Sequence, residues 1–278
     1  MFTRRNFINL STAAAVSTTA CNRQSELPQK SLQQGSKKKG LGQTVKIPGW
    51  AKRLSDLRCK WFYSWDSSIP EGAPKGMEFI PMIYRYRGNA QAIREAAALA
   101  KKSGISGMLG FNEPDKQKQG NMSLEETLDA WPLLMETGMR LGSPGCTHPD
   151  KEWMIQFMAG VKERNLRVDF ISVHSYGGPS AEALVKRLEN VHKMFERPIW
   201  ITEFAVGDWE AKSVEQNRHK PDSVLRFMEA VLPMLDKLDF VERYAWFSAK
   251  TTSNPLGTSA LFDAGGALTR LGECYRDA

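Results

Sequence analysis

Short apolar runs alternate with longer amphipathic segments along the chain from about residue 40 onwards. This alternation is typical of repeated βα units on a parallel sheet. There are eight such runs, which is the number of strands in a TIM barrel. We therefore predict an α/β fold with a single (β/α)8 barrel over residues 40–278. A doubly wound open sheet is the alternative, which the lack of a glycine-rich phosphate fingerprint after any run disfavours. The predicted strands are 40–43, 60–65, 78–84, 107–113, 141–146, 170–176, 199–204 and 243–248.

Helix signals lie between these runs. Asn89 precedes an alanine-rich amphipathic segment and is expected to cap it. Ser123 and Glu126 have the spacing of a capping box at the start of another helical segment. Pro132 and Pro233 fall inside helical patterns, and each predicts a kink or a break, because proline cannot donate the intrahelical hydrogen bond.

The first 39 residues differ in composition from the rest. Residues 1–20 carry Arg4 and Arg5, a short moderately apolar stretch and small residues before Cys21, which is the layout of a twin-arginine-like export signal. The apolar stretch is shorter than the roughly 20 residues that span a bilayer. Cys21 is expected to be the lipidated residue of a lipoprotein box, although Thr18 stands where such boxes usually have Leu, and an unmodified cysteine is the alternative. Residues 21–39 are predicted to be a polar tether. The protein is therefore expected to be exported, as a periplasmic or cell-surface lipoprotein or in secreted form, with a membrane contact only through that lipid.

The net charge of +7 does not indicate a nucleic-acid partner, because much of the excess lies before residue 40 and the remainder interleaves both signs. We interpret the basic N-terminal residues as export signal and solvated surface.

No cysteine spacing resembles a zinc site, and no cofactor is expected. Whether Cys59, Cys146 and Cys274 form a disulfide stays open. A hydrophobic fraction of 41% is ordinary for a globular chain and excludes a disordered one.

Two apolar runs end on glutamate. Glu113 closes the fourth run and Glu203 closes the seventh, and alternation places both side chains in the barrel mouth, where barrels carry their catalytic residues. Hydrolysis of a glycosidic bond needs two carboxyl groups on opposite sides of the sugar. The structural alternative is that Glu113 caps a loop before Pro114 and that Glu203 pairs with an arginine.

Six segments together resemble glycoside hydrolase family 128, the Asl1-like enzymes of the retaining clan A, from about residue 39 to residue 275. They are "WFYSWDSS", "EFIPMIY", "GFNEPD", "ISVHSYGG", "WITEFAV" and "ALFDAGGALTRLGECY", with the "NEP" and "TEF" glutamates. The resemblance implies an endo-β-1,3-glucanase that works by double displacement, with Glu113 as acid/base and Glu203 as nucleophile. It also implies that Asn112 hydrogen-bonds the sugar 2-hydroxyl. We expect a monomer whose partner is a β-glucan. Carboxyl groups about 5 to 5.5 Å apart and a raised pKa for Glu113 would suit this mechanism.

Other polar and aromatic residues at strand ends are candidates for substrate contacts. His174 and Tyr176 share one face of the sixth strand and are expected to reach the nucleophile. Trp246 is expected to form the floor of the cleft, with Trp65 and Tyr84 as its walls, although core packing is the alternative for each aromatic. The core is assigned three tryptophans: Trp61, Trp131 and Trp200. Three aspartates lie just past strand ends, where each could contact a sugar hydroxyl or equally serve as a turn or cap residue: Asp66, Asp115 and Asp208.

Two other functions stay open at this point. One is a clan A glycosidase acting on mannan, xylan or β-1,4-glucan, because residues outside the two glutamates decide the polymer. The other is a surface glucan-binding lipoprotein with little turnover.

Overall fold

A computed structural model describes residues 35–105 and 107–278. The predicted export signal, Cys21 and residues 22–34 of the predicted tether lie outside the described residues. The strands are β1 (Lys39–Gly42), β2 (Trp61–Tyr63), β3 (Glu78–Phe79), β4 (Gly107–Met108), β5 (Arg140–Leu141), β6 (Ile171–Ser175), β7 (Ile199–Phe204) and β8 (Val241–Phe247). The helices are α1 (Trp50–Asp56), α2 (Gln91–Ser103), α3 (Leu124–Met135), α4 (Glu152–Glu163), α5 (Ala181–Phe195), α6 (Pro221–Lys237) and α7 (Arg270–Asp277), with a 3-10 turn at Gly257–Ser259.

All the strand pairs are parallel, and together they close a ring. Six strands form one sheet in the order β3-β2-β1-β8-β7-β6, so the first and last strands are neighbours. β4 pairs with β5, and single parallel bridges join this pair to the rest, Met82 to Leu109 on one side and Gly142 to Phe170 on the other. The predicted (β/α)8 barrel is therefore confirmed.

Helices cover the outside of the barrel. The capping box of α3 is confirmed, because Ser123 Oγ accepts from the Glu126 N–H at 3.1 Å and the Glu126 carboxylate accepts from the Ser123 N–H at 2.7 Å. Asn89 Oδ1 accepts from the N–H of Gln91, the first residue of α2. Neither Pro132 nor Pro233 ends its helix, so the predicted breaks do not occur. Each proline costs a single hydrogen bond, and buried apolar neighbours on both sides hold the helix together. None of the described helices is long and apolar enough to span a membrane.

The barrel is filled by large side chains from several strands. Trp61 from β2 and Trp200 from β7 meet inside it with ring centroids 5.8 Å apart, and Phe170 stacks on Trp200 at 3.9 Å. Trp131 packs outside the barrel, edge-on to Phe157 of α4. The assignment of these three tryptophans to the core is confirmed. These buried rings fill the interior below the mouth of the barrel.

The folded body begins before residue 40. Lys39 is the first residue of β1, it is fully buried, and its Nζ donates to the carbonyl oxygens of Tyr275, Arg276 and Ala278 at 2.7, 2.9 and 2.7 Å. Burial lowers the pKa of Lys39 to about 8. The expectation that Lys39 is solvated is therefore wrong, because the end of α7 supplies carbonyl acceptors that favour a cation there.

Candidate active site

A cavity of about 700 Å³ opens at the carboxyl ends of the strands. Of the eight side chains predicted for the site, six line this cavity: Trp65, Tyr84, Asn112, Glu113, Tyr176 and Glu203. The seventh, His174, is buried beside the two glutamates. The fold thus brings residues from five different strand ends to one place.

The two glutamates face each other across the base of the cavity. Each is 5% exposed, and Glu203 lies within β7 whereas Glu113 follows β4 by five residues. One carboxylate oxygen of each and one ring nitrogen of His174 lie within 4.8 Å of one another. Two buried carboxylates at this distance repel each other strongly, so each needs hydrogen-bond donors or a nearby cation.

Aromatic donors surround Glu203. Its Oε1 accepts from Tyr63 Oη at 3.0 Å and from Trp65 Nε1 at 2.8 Å, and its Oε2 accepts from Tyr176 Oη. Burial and the charge of Glu203 raise the pKa of both tyrosines well above the usual value, so their hydroxyls keep their protons and donate. Glu203 therefore accepts three hydrogen bonds from aromatic side chains. Tyr63 was missed by sequence analysis, because it lies in an apolar run whose two faces are both buried.

Glu113 has cationic neighbours instead. Its Oε1 lies 3.2 Å from His174 Nδ1 and its Oε2 lies 3.7 Å from Lys116 Nζ. Burial raises the pKa of Glu113, but the hydrogen bond and charge of His174 and the charge of Lys116 outweigh burial, and the net shift is downward. The expected raised pKa of Glu113 is therefore wrong for the unliganded protein.

His174 lies between both carboxylates, since its Nδ1 is also 3.6 Å from Glu203 Oε2. Burial lowers the pKa of this imidazole, but the charge of Glu203 and the hydrogen bond to Glu113 outweigh burial and raise it. His174 thus holds a proton to a higher pH than an ordinary histidine does. Because Tyr63, Trp65 and Tyr176 already donate to Glu203, few lone pairs are left for a metal ion, and we assign no metal site to this cluster.

Backbone strain accompanies the site. Trp65 and Glu113 adopt left-handed conformations with φ of 59° and 38°, which non-glycine residues seldom take. The Glu113 backbone is fixed by its N–H, which donates to Gly145 O at 2.8 Å, and by its carbonyl, which accepts from Lys116 N. Such strain persists only where the surrounding structure holds it, and it occurs preferentially at functional sites.

Trp246 is not in the cavity, so the expectation that it forms the floor is wrong. It is fully buried, packs against Phe227 of α6 and Tyr275 of α7, and donates from Nε1 to Ser259 O at 2.9 Å. Alternation along β8 turns Trp246 towards the helices and Phe247 into the mouth, where Phe247 lines the cavity.

Loop residues complete the cavity wall. Lys116 and Gln119 come from the loop after β4, and Trp209 comes from the loop after β7. Sequence analysis missed all three, and the only available signal was their position just beyond strand ends. Asn112 Oδ1 is buried without a hydrogen-bond partner among the described residues.

Of the two alternatives left open for the three aspartates, the structure shows structural contacts, and none of the three lines the cavity. Asp66 and Asp115 accept from backbone N–H groups of Ser67 and Thr147, and Asp208 pairs with Arg218 at 2.6 Å.

The three cysteines within the described residues are free thiols: Cys59, Cys146 and Cys274.

Comparisons with known proteins agree with this architecture. A family model described as "Glycosyl hydrolase catalytic core" matches residues 45–275. A subgroup I family 128 endo-β-1,3-glucanase from Amycolatopsis mediterranei, solved in complex with laminaritriose, is 36% identical with a TM-score of 0.75, over 87% of this chain and 99% of that one. A subgroup II endo-β-1,3-glucanase from Sorangium cellulosum is 25% identical with a TM-score of 0.69, over 86% of this chain and 97% of that one.

A curated relative is longer than this chain. The alkali-sensitive linkage protein 1 of Schizosaccharomyces pombe is 28% identical over 238 residues, which make up 82% of this chain and 42% of that protein. The chain therefore spans less than half the length of this relative.

Proposed function

This chain belongs to glycoside hydrolase family 128, and from that membership we propose that it is a retaining endo-β-1,3-glucanase with Glu113 as acid/base and Glu203 as nucleophile. Glycoside hydrolysis is the activity of the family. The polymer, the endo mode of cleavage and the roles of the two glutamates are the parts that we propose.

The pairing of the two carboxylates is the observation that carries the mechanism. Their nearest oxygens lie within 4.8 Å, which suits the roughly 5 to 5.5 Å between carboxyl groups of retaining enzymes and leaves no room for the water that inverting enzymes hold at about 6.5 to 9.5 Å. The two environments also differ. Glu203 accepts hydrogen bonds from three aromatic side chains that orient it, which suits a nucleophile, whereas Glu113 has no hydroxyl donor and faces the open cavity.

The reaction then takes two steps. In the first, a Glu203 oxygen bonds to the anomeric carbon while the glycosidic bond breaks and the Glu113 proton passes to the leaving oxygen. In the second, Glu113 takes a proton from water, the water oxygen bonds to the anomeric carbon, and Glu203 leaves. Configuration is retained, and two carboxyl groups and water suffice, so no cofactor enters the proposal.

The cavity wall supports a sugar polymer as the substrate. Trp65, Trp209 and Phe247 present aromatic surface to the cavity, and aromatic walls with a few polar groups suit pyranose rings. Asn112 Oδ1, which has no hydrogen-bond partner among the described residues, is available to accept from the 2-hydroxyl of the sugar next to the scissile bond. The choice of β-1,3-glucan rests on the Amycolatopsis and Sorangium enzymes, whose reported substrate it is.

The proposal is tested on the purified protein with laminarin, curdlan, mannan and xylan. We expect laminari-oligosaccharides of several lengths from laminarin, and a newly formed reducing end with the β configuration by proton NMR. Release of glucose alone would contradict the endo mode, an α product would contradict retention, and cleavage of mannan alone would refute the substrate assignment.

The roles of the glutamates are tested with Glu113→Gln and Glu203→Gln. The control is Glu189→Gln, which removes an exposed carboxylate of α5. Both site variants should lose at least about a thousandfold in kcat/KM, and Glu113→Gln should keep more activity on aryl glucosides whose leaving group needs no proton. Equal low turnover in wild type and Glu203→Gln, with glucan binding retained, would identify a binding protein instead.

We also propose that the protein is exported through residues 1–20 and lipid-modified at Cys21. Cell fractionation of wild type, Arg4→Lys with Arg5→Lys, and Cys21→Ala tests this. The arginine variant should stay in the cytoplasm, and Cys21→Ala should move from the membrane to the soluble exported fraction. An unchanged distribution in both variants would contradict the proposal.

A further inference from the structure

A lysine lies across the mouth of the cavity. Lys116 follows Glu113 by three residues on the loop after β4, and its Nζ lies 3.7 Å from Glu113 Oε2. The same ammonium lies over the indole of Trp209, 5.8 Å from the ring centroid. Because Trp209 belongs to the loop after β7, Lys116 connects the loops that follow the two catalytic strands.

Trp209 offers an exposed aromatic surface for a sugar. Its side chain is 59% exposed, the most exposed of the large apolar residues in the described chain, and it lines the cavity. Its ring is held edge-on to Tyr176, with centroids 5.8 Å apart at 81°, so its orientation is fixed relative to the nucleophile's partner. A fixed, exposed indole beside a sugar cavity is a stacking platform, and Lys116 lies over it in the free protein.

Glu113 has two cationic side chains beside it, and they differ in how far they can move. His174 is 1% exposed and wedged between both glutamates, so it stays in place. The Lys116 side chain is 45% exposed on a flexible stem and is held by one ion pair and one cation–π contact. Both cations favour ionised Glu113, yet a general acid must hold a proton when it protonates the leaving group. Lys116 is the cation that can leave.

We propose that Lys116 is a positioning residue that the substrate displaces: a glucose ring stacking on Trp209 removes the ammonium from Glu113, and Glu113 then takes up the proton that it later donates. This inference rests on the proposed function. The proton comes from solvent through the open mouth of the cavity and leaves Glu113 for the glycosidic oxygen. The stem of Lys116 swings towards bulk water, where its charge is solvated.

The other charged groups around Glu113 keep their places in this scheme. They are His174 from β6, Glu203 from β7 and Asp115 on the same loop. The neutral groups nearby are the phenols of Tyr63, Tyr84 and Tyr176 and the buried thiol of Cys146. After Lys116 has left, Glu203 and Asp115 both favour protonated Glu113, and only His174 opposes it.

The test compares Lys116→Gln and Lys116→Met with Lys116→Arg, which keeps the charge. Lys118→Gln is the matched control, because it removes an exposed lysine of the same loop that does not line the cavity. For each protein, the pH dependence of kcat/KM on laminarin reports the free enzyme and that of kcat reports the bound enzyme. Thermal unfolding of every variant checks that the barrel is intact.

We expect the alkaline limb of kcat/KM to move to higher pH in both neutral variants. A partly exposed ion pair is worth about 0.2 to 1 kcal/mol, so kcat/KM on that limb should rise by about 1.5- to 5-fold over wild type. The alkaline midpoint of kcat should not move, because substrate has already displaced Lys116 in the complex. KM should fall at every pH, because Trp209 no longer has to be uncovered. Lys116→Arg and Lys118→Gln should keep the wild-type midpoints.

Three outcomes would overturn the inference. The first is an equal shift of the alkaline midpoints of kcat and kcat/KM, which would place Lys116 beside Glu113 in the complex. The other two are an unchanged kcat/KM midpoint in both neutral variants and the same midpoint shift in Lys118→Gln. A wild-type protein that cleaves none of the glucans would instead refute the proposed function. The two failures are therefore distinguishable in one set of measurements.

Discussion

Gly145 is a position where one methyl group should disable the site. Its carbonyl accepts from the Glu113 N–H at 2.8 Å, and its own N–H donates to Phe111 O at 2.9 Å. A Cβ at this residue would lie 2.6 Å from His174 Nε2 and 3.1 Å from Cε1. The substitution Gly145→Ala therefore pushes directly on the imidazole that contacts both glutamates.

The size of the effect follows from these distances. Ordinary van der Waals contact begins at 3.4 Å, so the ring or the strand must move by about 0.8 Å. Because His174 is 1% exposed, no solvent-facing space takes up this movement. Overpacking of this kind costs about 1 to 3 kcal/mol, and a displacement of about 1 Å at a catalytic group costs about a hundredfold in rate.

Differential scanning calorimetry and steady-state kinetics on laminarin measure the two consequences. We expect Tm to fall by about 2 to 10 °C and kcat/KM to fall by about a hundredfold in Gly145→Ala. The control is Gly178→Ala, where the nearest atom to a Cβ is His219 Cε1 at an ordinary 3.6 Å and where neither Tm nor kcat/KM should change appreciably. A Gly145→Ala protein with wild-type Tm and activity would refute the reasoning, because it would mean that the His174 position is not critical.

Three further predictions concern hydrogen bonds and stability. Tyr176→Phe removes a donor to the Glu203 carboxyl group. Since a hydrogen bond to a charged group is worth about 1.5 to 3 kcal/mol, kcat/KM should fall by about 10- to 150-fold, and an unchanged value would contradict the role of the hydroxyl. Burial lowers the pKa of Lys39 to about 8 from 10.5, so between pH 8 and 10.5 the unfolded chain binds more protons than the folded protein does. In urea unfolding, the stability of the wild type should therefore rise with pH over this range relative to that of Lys39→Met. A stability difference that stays constant with pH would contradict this. Ser123→Ala removes the cap of α3, so the free energy of unfolding should fall by about 0.5 to 2 kcal/mol with no change in kcat, and equal stability would contradict the capping role.

The barrel could be predicted from the sequence because its signals are local. Apolar runs, a capping box and turn residues each act within a few positions, and β7 has the predicted bounds Ile199–Phe204. The strands β2 to β6 are shorter than their apolar runs. β4 ends at Met108 although its run continues to Glu113, because beyond Met108 the chain makes only single bridges, such as Asn112 to Gly145. An apolar composition indicates that a segment is buried, but it does not indicate where the backbone hydrogen bonds to the neighbouring strand end.

The parts of the site that could not be predicted depend on contacts between distant elements. The pairing of β7 with β8 shifts register twice, so counting along the sequence does not show which β8 residue faces the mouth. For this reason Trp246 was predicted to face the cavity, whereas Phe247 is the residue that does. The pKa of Glu113 depends on His174 and Lys116, which belong to another strand and to a loop. Lys39 lies in a basic run that suggests solvent, and only the fold brings the end of α7 over it.

The two glutamates differ in the rigidity of what surrounds them, and this difference matches the proposed division of work. Glu203 lies inside a regular strand, and its donors Tyr63 and Tyr176 come from β2 and the end of β6, so its hydrogen bonds are supplied by the barrel itself. Glu113 lies beyond the end of β4 in a strained conformation, and one of its two cations is a half-exposed lysine. A nucleophile must keep one protonation state, whereas an acid/base must change its state twice in each cycle. The carboxylate that must change is therefore the one whose electrostatic surroundings a substrate can alter.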